Sequence, residues 1–319
     1  MPLGIYPTVD YVFKLLFGDP ANADLLTHLM NAVLQHKIPI FKVTILNPML
    51  GKDFDEDKDS FLDILAEDEA GRKFNVEMQT TIPYDLGERL VFYTSKLLAG
   101  QLEEGEPYSL LRPVYSICFL TGSMFPHVSA PHLRFVMADI EQGVSLSESL
   151  QVHLIELIKY NSVQEQISQG TALEKWAYFL KYAARHEAEE LRQILPESEY
   201  QKATGVIEMI SHSREQRILH EVRLRAQRER ASAAEYAERC REQGIEQGIE
   251  QGIAVGEVKG EARGEERGLK RGLIGQIRLL EKVLHKTPLD SALLATHDVP
   301  KLQSLVTELE AELDRQNSN

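Results

Sequence analysis

The sequence predicts an α/β fold, a mixed sheet with helices packed on it, followed by a helical region and a long C-terminal helical segment. Three observations predict this. Up to residue 140, helical spacings and strand-like runs follow in the order helix, strand, strand, strand, helix, strand. Beyond Arg214 the composition turns to Arg, Glu, Gln and Ala, which favours long solvated helix. From Gly244 to Gly272 a glycine then occupies every fourth position.

After Pro2 and Pro7, residues 8–17 carry Val9, Phe13 and Leu16 at helical spacing. Asp10 and Lys14 are four apart on one face of that helix, where a pair is worth roughly 0.2–0.5 kcal/mol. Asp19 to Asn22 reads as a turn and cap, and a second helix runs to about Leu34. Phe41 to Leu50 reads as a strand stopped by Pro48. The acidic run Lys52 to Asp59 lacks the central glycine and final glutamate of an EF-hand and reads as a solvated loop.

Residues 61–67 and 73–79 are apolar strands flanking the turn Asp68-Glu69-Ala70-Gly71, a hairpin pattern. Alternation puts Phe74, Val76 and Met78 on one face of the second strand and Asn75, Glu77 and Gln79 on the other. With the turn centred near Ala70, Asp63 lies opposite Glu77, and such partners have Cβ atoms about 4.5–5.5 Å apart. Two carboxylates that close repel unless a cation separates them, and oxygen ligands suit Mg²⁺ or Mn²⁺. The plain alternative is an amphipathic hairpin with an acidic outer face.

A helix from about Leu86 to Leu102 follows, with Arg89 and Tyr93 sharing one face. A substrate contact, or an exposed ion pair beside a core tyrosine, suits those two residues equally. Tyr115–Gly122 and His132–Ile140 read as strands, and residues 123–131 as a loop. Residues 147–211 read as helical, with Trp176, Phe179, Leu180 and Ala183 forming a core stripe.

Eight glycines at four-residue spacing cost a helix roughly 6–8 kcal/mol in total. The stretch is therefore a helix whose glycines admit a second backbone, a helix held by an outside surface, or a flexible tether. Residues 273–313 return to amphipathic helix, broken at Pro288, with Leu302, Leu305, Leu309 and Leu313 at heptad-like spacing. The expected organisation is a sheet domain at 1–145, a helical extension at 146–211, a charged glycine-tetrad helix at 212–272 and a small helical domain at 273–319.

No run is long and apolar enough to span a membrane, and the N-terminus lacks the pattern of a secretory signal. The two cysteines, Cys118 and Cys240, form no ligand pattern, which fits a cytoplasmic protein. No P-loop, dinucleotide fingerprint, nucleophile elbow or H-E-x-x-H occurs, which leaves Walker-type hydrolysis and zinc proteolysis without their usual marks. The net charge of −14 is uneven. Residues 1–145 hold 11 basic against 20 acidic residues, a balance of −9, whereas 211–286 hold 16 against 13, a balance of +3. Any nucleic-acid contact in the sheet domain therefore rests on a few local cations rather than a basic face.

The hairpin's Asp63 with Glu77-Met78-Gln79 resembles the PD-(D/E)XK nuclease core, in particular the Rpn family of recombination-promoting nucleases and transposases. The likeness extends to Asp10-Tyr-Val-Phe13-Lys14-Leu-Leu-Phe17-Gly18, to Arg89 through Lys96 with Tyr93, to Ile155-Glu-Leu-Ile-Lys159 and to the Gln-Gly-Ile-Glu units after Gln243. The resemblance implies a restriction-endonuclease-like αβββαβ core and Mg²⁺-dependent hydrolysis of DNA phosphodiesters, with Mn²⁺ or Ca²⁺ as other ions. It implies Asp63, Glu77 and the Met78 carbonyl as metal ligands, Asp10 as a candidate further one, and Asp63, Glu77 and Gln79 as the catalytic residues, Gln79 standing where the wider motif has lysine. Lys14, Arg89 and Tyr93 are the implied substrate contacts. DNA and a second copy of the chain, joined through the C-terminal helices, are the expected partners. A role in recombination, mobile elements or phage defence follows from the same likeness. RNA as substrate, and a catalytically weak or silent nuclease scaffold serving binding or assembly, remain open.

Overall fold

A computed structural model describes residues 1–35, 38–46, 64–161 and 164–317. The chain starts with two helices, α1 (Asp10–Phe17) and α2 (Ala23–Leu34), and three strands, β1 (Val43–Ile45), β2 (Ile64–Asp68) and β3 (Lys73–Gln79). Helix α3 (Leu86–Ala99) follows, then strands β4 (Val114–Leu120), β5 (His132–Ala138) and β6 (Ser145–Glu156). Next come α4 (Gln164–Ile167), α5 (Ala172–Tyr182), α6 (Ala188–Ile194), α7 (Ser198–His212), α8 (Arg214–Val283), α9 (Ser291–Thr296) and α10 (Val299–Asn317). The chain divides into two compact units, Met1–Tyr236 and Ala237–Asn319, and α8 contributes to both.

The hairpin register follows from its turn. Ile64 pairs with Val76 and Glu67 with Lys73, which centres the antiparallel ladder on Ala70. The Asp68 carboxylate accepts the amides of Ala70 and Arg72 at 2.9 Å each and the Arg72 Nε–H at 2.5 Å. Asp68 thus closes an Asx-type turn and an ion pair with one side chain. Gly71 takes a φ of +73°, which a Cβ would strain.

The six strands run in the order β1-β2-β3-β4-β6-β5. β3, β4 and β6 are parallel neighbours, while β1–β2, β2–β3 and β5–β6 are antiparallel. The crossover that the parallel β3–β4 pair requires is α3. Alternation divides the sheet into two faces. Phe74, Val76, Met78, Tyr115, Ile117 and Phe119 join the cluster built with α1, α2, α5 and α7. Cys118, Leu120, Val152 and Leu154 join Leu86 and Leu90 of α3 on the opposite face. Trp176 is fully buried in the first cluster, 5.2 Å from Phe17 and 4.7 Å from Tyr200 between ring centres. Its Nε1–H donates to His28 Nδ1 at 2.9 Å. Gly18 sits where α1 meets β2. A Cβ there would lie 2.8 Å from the Lys14 carbonyl oxygen and 3.4 Å from Ile64 Cγ1.

Two expectations need correction. Residues 146–156, expected to open a helical extension, belong to the twelve-residue strand β6. The last six residues of β6 are buried on both faces, so the period-two contrast that marks a strand is missing there. The strand expected over 41–50 is ladder-paired only at Val43–Ile45, and residues 47–50 and the acidic run 52–59 lie outside the described residues.

The start of α8 packs on the first unit. Leu219 and Leu224 lie against the core, and buried His220 accepts the Tyr6 amide at Nε2, 3.1 Å away, with the two rings stacked 6.0 Å apart. In the second unit all eight tetrad glycines lie within the helix α8. Beyond the helix's own backbone, no atom of the described residues lies within 4 Å of a Cβ placed on any of them. Ile277, Leu294, Leu302 and Val306 form a small core of α8, α9 and α10, where Glu281 accepts from Arg278 and from the Leu289 amide. Among the described residues, no helix is long and apolar enough to cross a membrane.

Burial lowers the pKa of His28, His132 and His220 below the ordinary 6.5. The native fold holds these rings neutral, whereas the unfolded chain protonates them near pH 6.5. Their contribution to stability is therefore complete above the unfolded value and lost as pH falls through the lowered folded values. Thermal melts should be flat from pH 8 to 7 and decline progressively below about pH 6.5. A melting temperature unchanged down to pH 5 would contradict this picture of the three rings.

Candidate functional site

β3 builds the site. Its inward side chains anchor it to the α1 layer, which turns Asn75, Glu77 and Gln79 to the α3 face. The direct partners of these three on β4 are Ser116, Cys118 and Leu120. The Glu77 side chain is almost sealed, at 3% exposure. Its carboxylate accepts the Asn75 Nδ2–H at 2.5 Å and the Gln79 Nε2–H at 3.2 Å. The Asn75 Oδ1 and Ser116 Oγ atoms are buried and have no hydrogen-bond partner among the described residues. A carboxylate held by amide donors, beside an unmatched amide oxygen, is an oxygen-rich donor set of the kind hard divalent cations take. Asn75 is a residue whose part the motif reading missed. Its place on the Glu77 face was legible, but its unmatched oxygen was not.

Asp63 lies outside the described residues; the ladder is seen up to Ile64 opposite Val76. Asp10 stands at the start of α1, where its Oδ1 accepts the Tyr11 amide at 2.7 Å and its Oδ2 faces Arg223 Nη1 at 3.9 Å. Its helix packs on the face of the sheet opposite to that of Glu77, and no group of three or more Asp, Glu, His or Cys suited to a metal occurs among the described residues. Met78 sends its side chain to the α1 layer. Lys14, half-buried in the last turn of α1, lies on that same layer. Arg89 and Tyr93 are half-buried on α3, the layer that covers the Glu77 face, and Arg89 has no ion-pair partner among the described residues.

A cleft of about 210 Å³ opens at the carboxyl end of β3, where open α/β sheets bind ligands. Asp10, Met78, Gln79, Thr80 and Thr81 line one side, and Arg223, Gln227 and Arg230 of α8 line the other. Gln79 belongs both to this cleft and to the Glu77 hydrogen bonds, so it joins the buried carboxylate to the open groove.

The Ile155–Lys159 segment has a different task. Glu156, fully buried at the end of β6, accepts the Ser123 hydroxyl and the Met124 and Phe125 amides, each at 2.8 Å, and pairs with Lys159. Lys159 also donates to the carbonyls of Phe125 and Val128. Burial works to raise the Glu156 pKa, but the Lys159 ammonium and the three donors outweigh it and hold the carboxyl below its usual range. The pair fixes the loop after β4 rather than reaching the cleft.

The mixed sheet, the helices on its two faces and the Glu-x-Gln end of β3 define an α/β fold of the PD-(D/E)XK type. Residues 7–237 match the family described as PD-(D/E)XK nuclease family transposase, and the chain belongs to that family. Compared with curated proteins and with solved structures, the chain shows no match. The matched span nearly coincides with the first compact unit and so includes the start of α8. Membership supports a nuclease- or transposase-like function, and nucleases of this type generally use divalent metals and bind DNA.

Proposed function

We propose that the protein is a Mg²⁺-dependent DNA endonuclease whose metal ligands are Asp63 and Glu77, with the Met78 carbonyl beside them. The single observation that supports this reading is the sealed Glu77 carboxylate, held by Asn75 and Gln79 at the carboxyl end of a central strand. The hairpin ladder, centred on Ala70, pairs the neighbouring residues Ile64 and Val76 as that ligand pairing requires. A bound Mg²⁺ supplies an activated water and charge stabilisation at the phosphate. Gln79 orients the water through its amide, which donates and accepts but brings no charge. Asn75 holds one Glu77 oxygen in place and leaves the other facing Gln79. Arg89 and Tyr93 border this face and contact substrate, while Asp10 and Lys14 act from the α1 side.

Asp63→Ala and Glu77→Gln should each lower Mg²⁺- or Mn²⁺-dependent nicking of supercoiled DNA by at least ~100-fold, the upper end of what outer-shell changes cost metal sites. Circular dichroism spectra should stay those of the wild type. Undiminished nicking by both variants sinks the ligand assignment. A wild type that binds DNA but never cuts it, with RNA equally untouched, supports the silent-scaffold reading instead.

The glycine tetrads carry the second half of the proposal, a homodimer or higher oligomer. The tetrad helix leaves Ile245, Ile249 and Ile253 more than half exposed directly after three of its glycines. A four-residue repeat drifts roughly 40° per step on a helix, so a second copy follows the stripe in a right-handed wrap. Replacing Gly248, Gly252 and Gly256 by Leu should convert the oligomer to monomer in sedimentation while raising helicity. A monomeric wild type, or an oligomer indifferent to the triple change, removes this pairing.

A further inference from the structure

Two pairs of cations outside the sheet line clefts that share one residue. On α8, Arg223, Gln227 and Arg230 follow the i, i+4, i+7 spacing of a single helix face, and that face lines the cleft at the end of β3. Tyr6 and His220 hold it there, two and three residues from Thr8 and Arg223 respectively. A second cleft, of about 320 Å³, is lined by Thr8, Thr121, Lys181, Tyr182 and Arg185. Thr8 belongs to both clefts. Together they hold four cations, Arg223, Arg230, Lys181 and Arg185, against one carboxylate, Asp10. This stands out in a chain whose first 145 residues are balanced at −9, with 11 basic and 20 acidic residues. Arg230 is exposed and has no ion-pair partner among the described residues, and Arg185 is exposed above the Tyr182 ring, 5.3 Å from its centre. Among the described residues neither cation pairs with a carboxylate.

We propose that these two clefts form one phosphate-binding track, along which the sugar–phosphate backbone of DNA runs from Arg230 and Arg223 past Thr8 to Arg185 and Lys181. The inference rests on the nuclease reading and adds to it the part of the chain that grips substrate. The cations meet phosphate oxygens, the Thr8 and Thr80 hydroxyls add neutral donors, and Gln79 lies where the track passes the Glu77 carboxylate. Contacts of this kind go to phosphates, which position the duplex and carry no sequence information directly.

The test uses the full-length protein, a fluorescein-labelled 20-base-pair duplex of arbitrary sequence and Ca²⁺ in place of Mg²⁺, with binding followed by anisotropy from 50 to 300 mM KCl. Four contacts predict a slope of log affinity against log salt of about −3.6 for the wild type. Arg223→Ala/Arg230→Ala should weaken binding at least tenfold at 100 mM salt and reduce the slope by about 1.8, and Arg185→Ala should reduce it by about 0.9. Arg223→Lys/Arg230→Lys should restore the slope, which a merely structural role of the arginines would not, and Arg230→Ala alone tests the track without touching the Asp10 contact. Wild-type slope and affinity in the alanine variants overturn the track even if nicking by the wild type stands. Conversely, arginine-dependent binding with undiminished nicking by Glu77→Gln supports the track and removes the metal-site reading. A wild type without measurable affinity for duplex overturns the track.

Discussion

Asp68 fixes how β2 meets β3, and the candidate site depends on that pairing. Its carboxylate takes two turn amides and the Arg72 side chain, so the chain reverses around Ala70 and nowhere else. Because strand side chains alternate, a slip of one residue would send Glu77 to the α1 layer and Val76 to the α3 face. The apolar set Phe74, Val76 and Met78 adds a large penalty to that slip, since all three are buried in the first core cluster. Turn chemistry and hydrophobic burial therefore specify the same register. The polar residues that cannot join the core are left together on one patch of the other face.

That patch is unusual in its own terms. Burying a carboxylate is unfavourable unless donors surround it, and Glu77 has amide donors rather than a lysine at the next polar position along the strand. The contrast with Glu156 is instructive. There, a lysine and three further donors satisfy the carboxylate completely, and the result is a fixed loop. Beside Glu77 the buried Asn75 Oδ1 and Ser116 Oγ have no hydrogen-bond partner among the described residues.

Much of this was legible in the sequence because it is local. The hairpin centre, α1, α2, α3, the burial of Cys118 and the Trp176 stripe all follow from periodicity and turn residues within short windows. β6 was not legible. Its buried half lies between β4 and β5 with apolar contact on both faces, and such a run has no period to read. The place of Arg223 and Arg230 was not legible either. The excess of basic residues after 211 was visible, but what puts them at the cleft is a contact between Tyr6 and His220, 214 residues apart in the chain. The partition expected at residue 145 missed for the same reason, since β6 pairs with β4 across it.

Glu77 as a metal ligand is the claim on which the chemistry rests, and anomalous diffraction from crystals soaked in Mn²⁺ tests it most directly. The account predicts one strong peak on the α3 face of the sheet, about 2.0–2.2 Å from a Glu77 carboxylate oxygen, shared with Asp63 and lost in Glu77→Gln. A peak bound by Asp10 in the cleft with none at Glu77, or a peak that persists unchanged in Glu77→Gln, would contradict it.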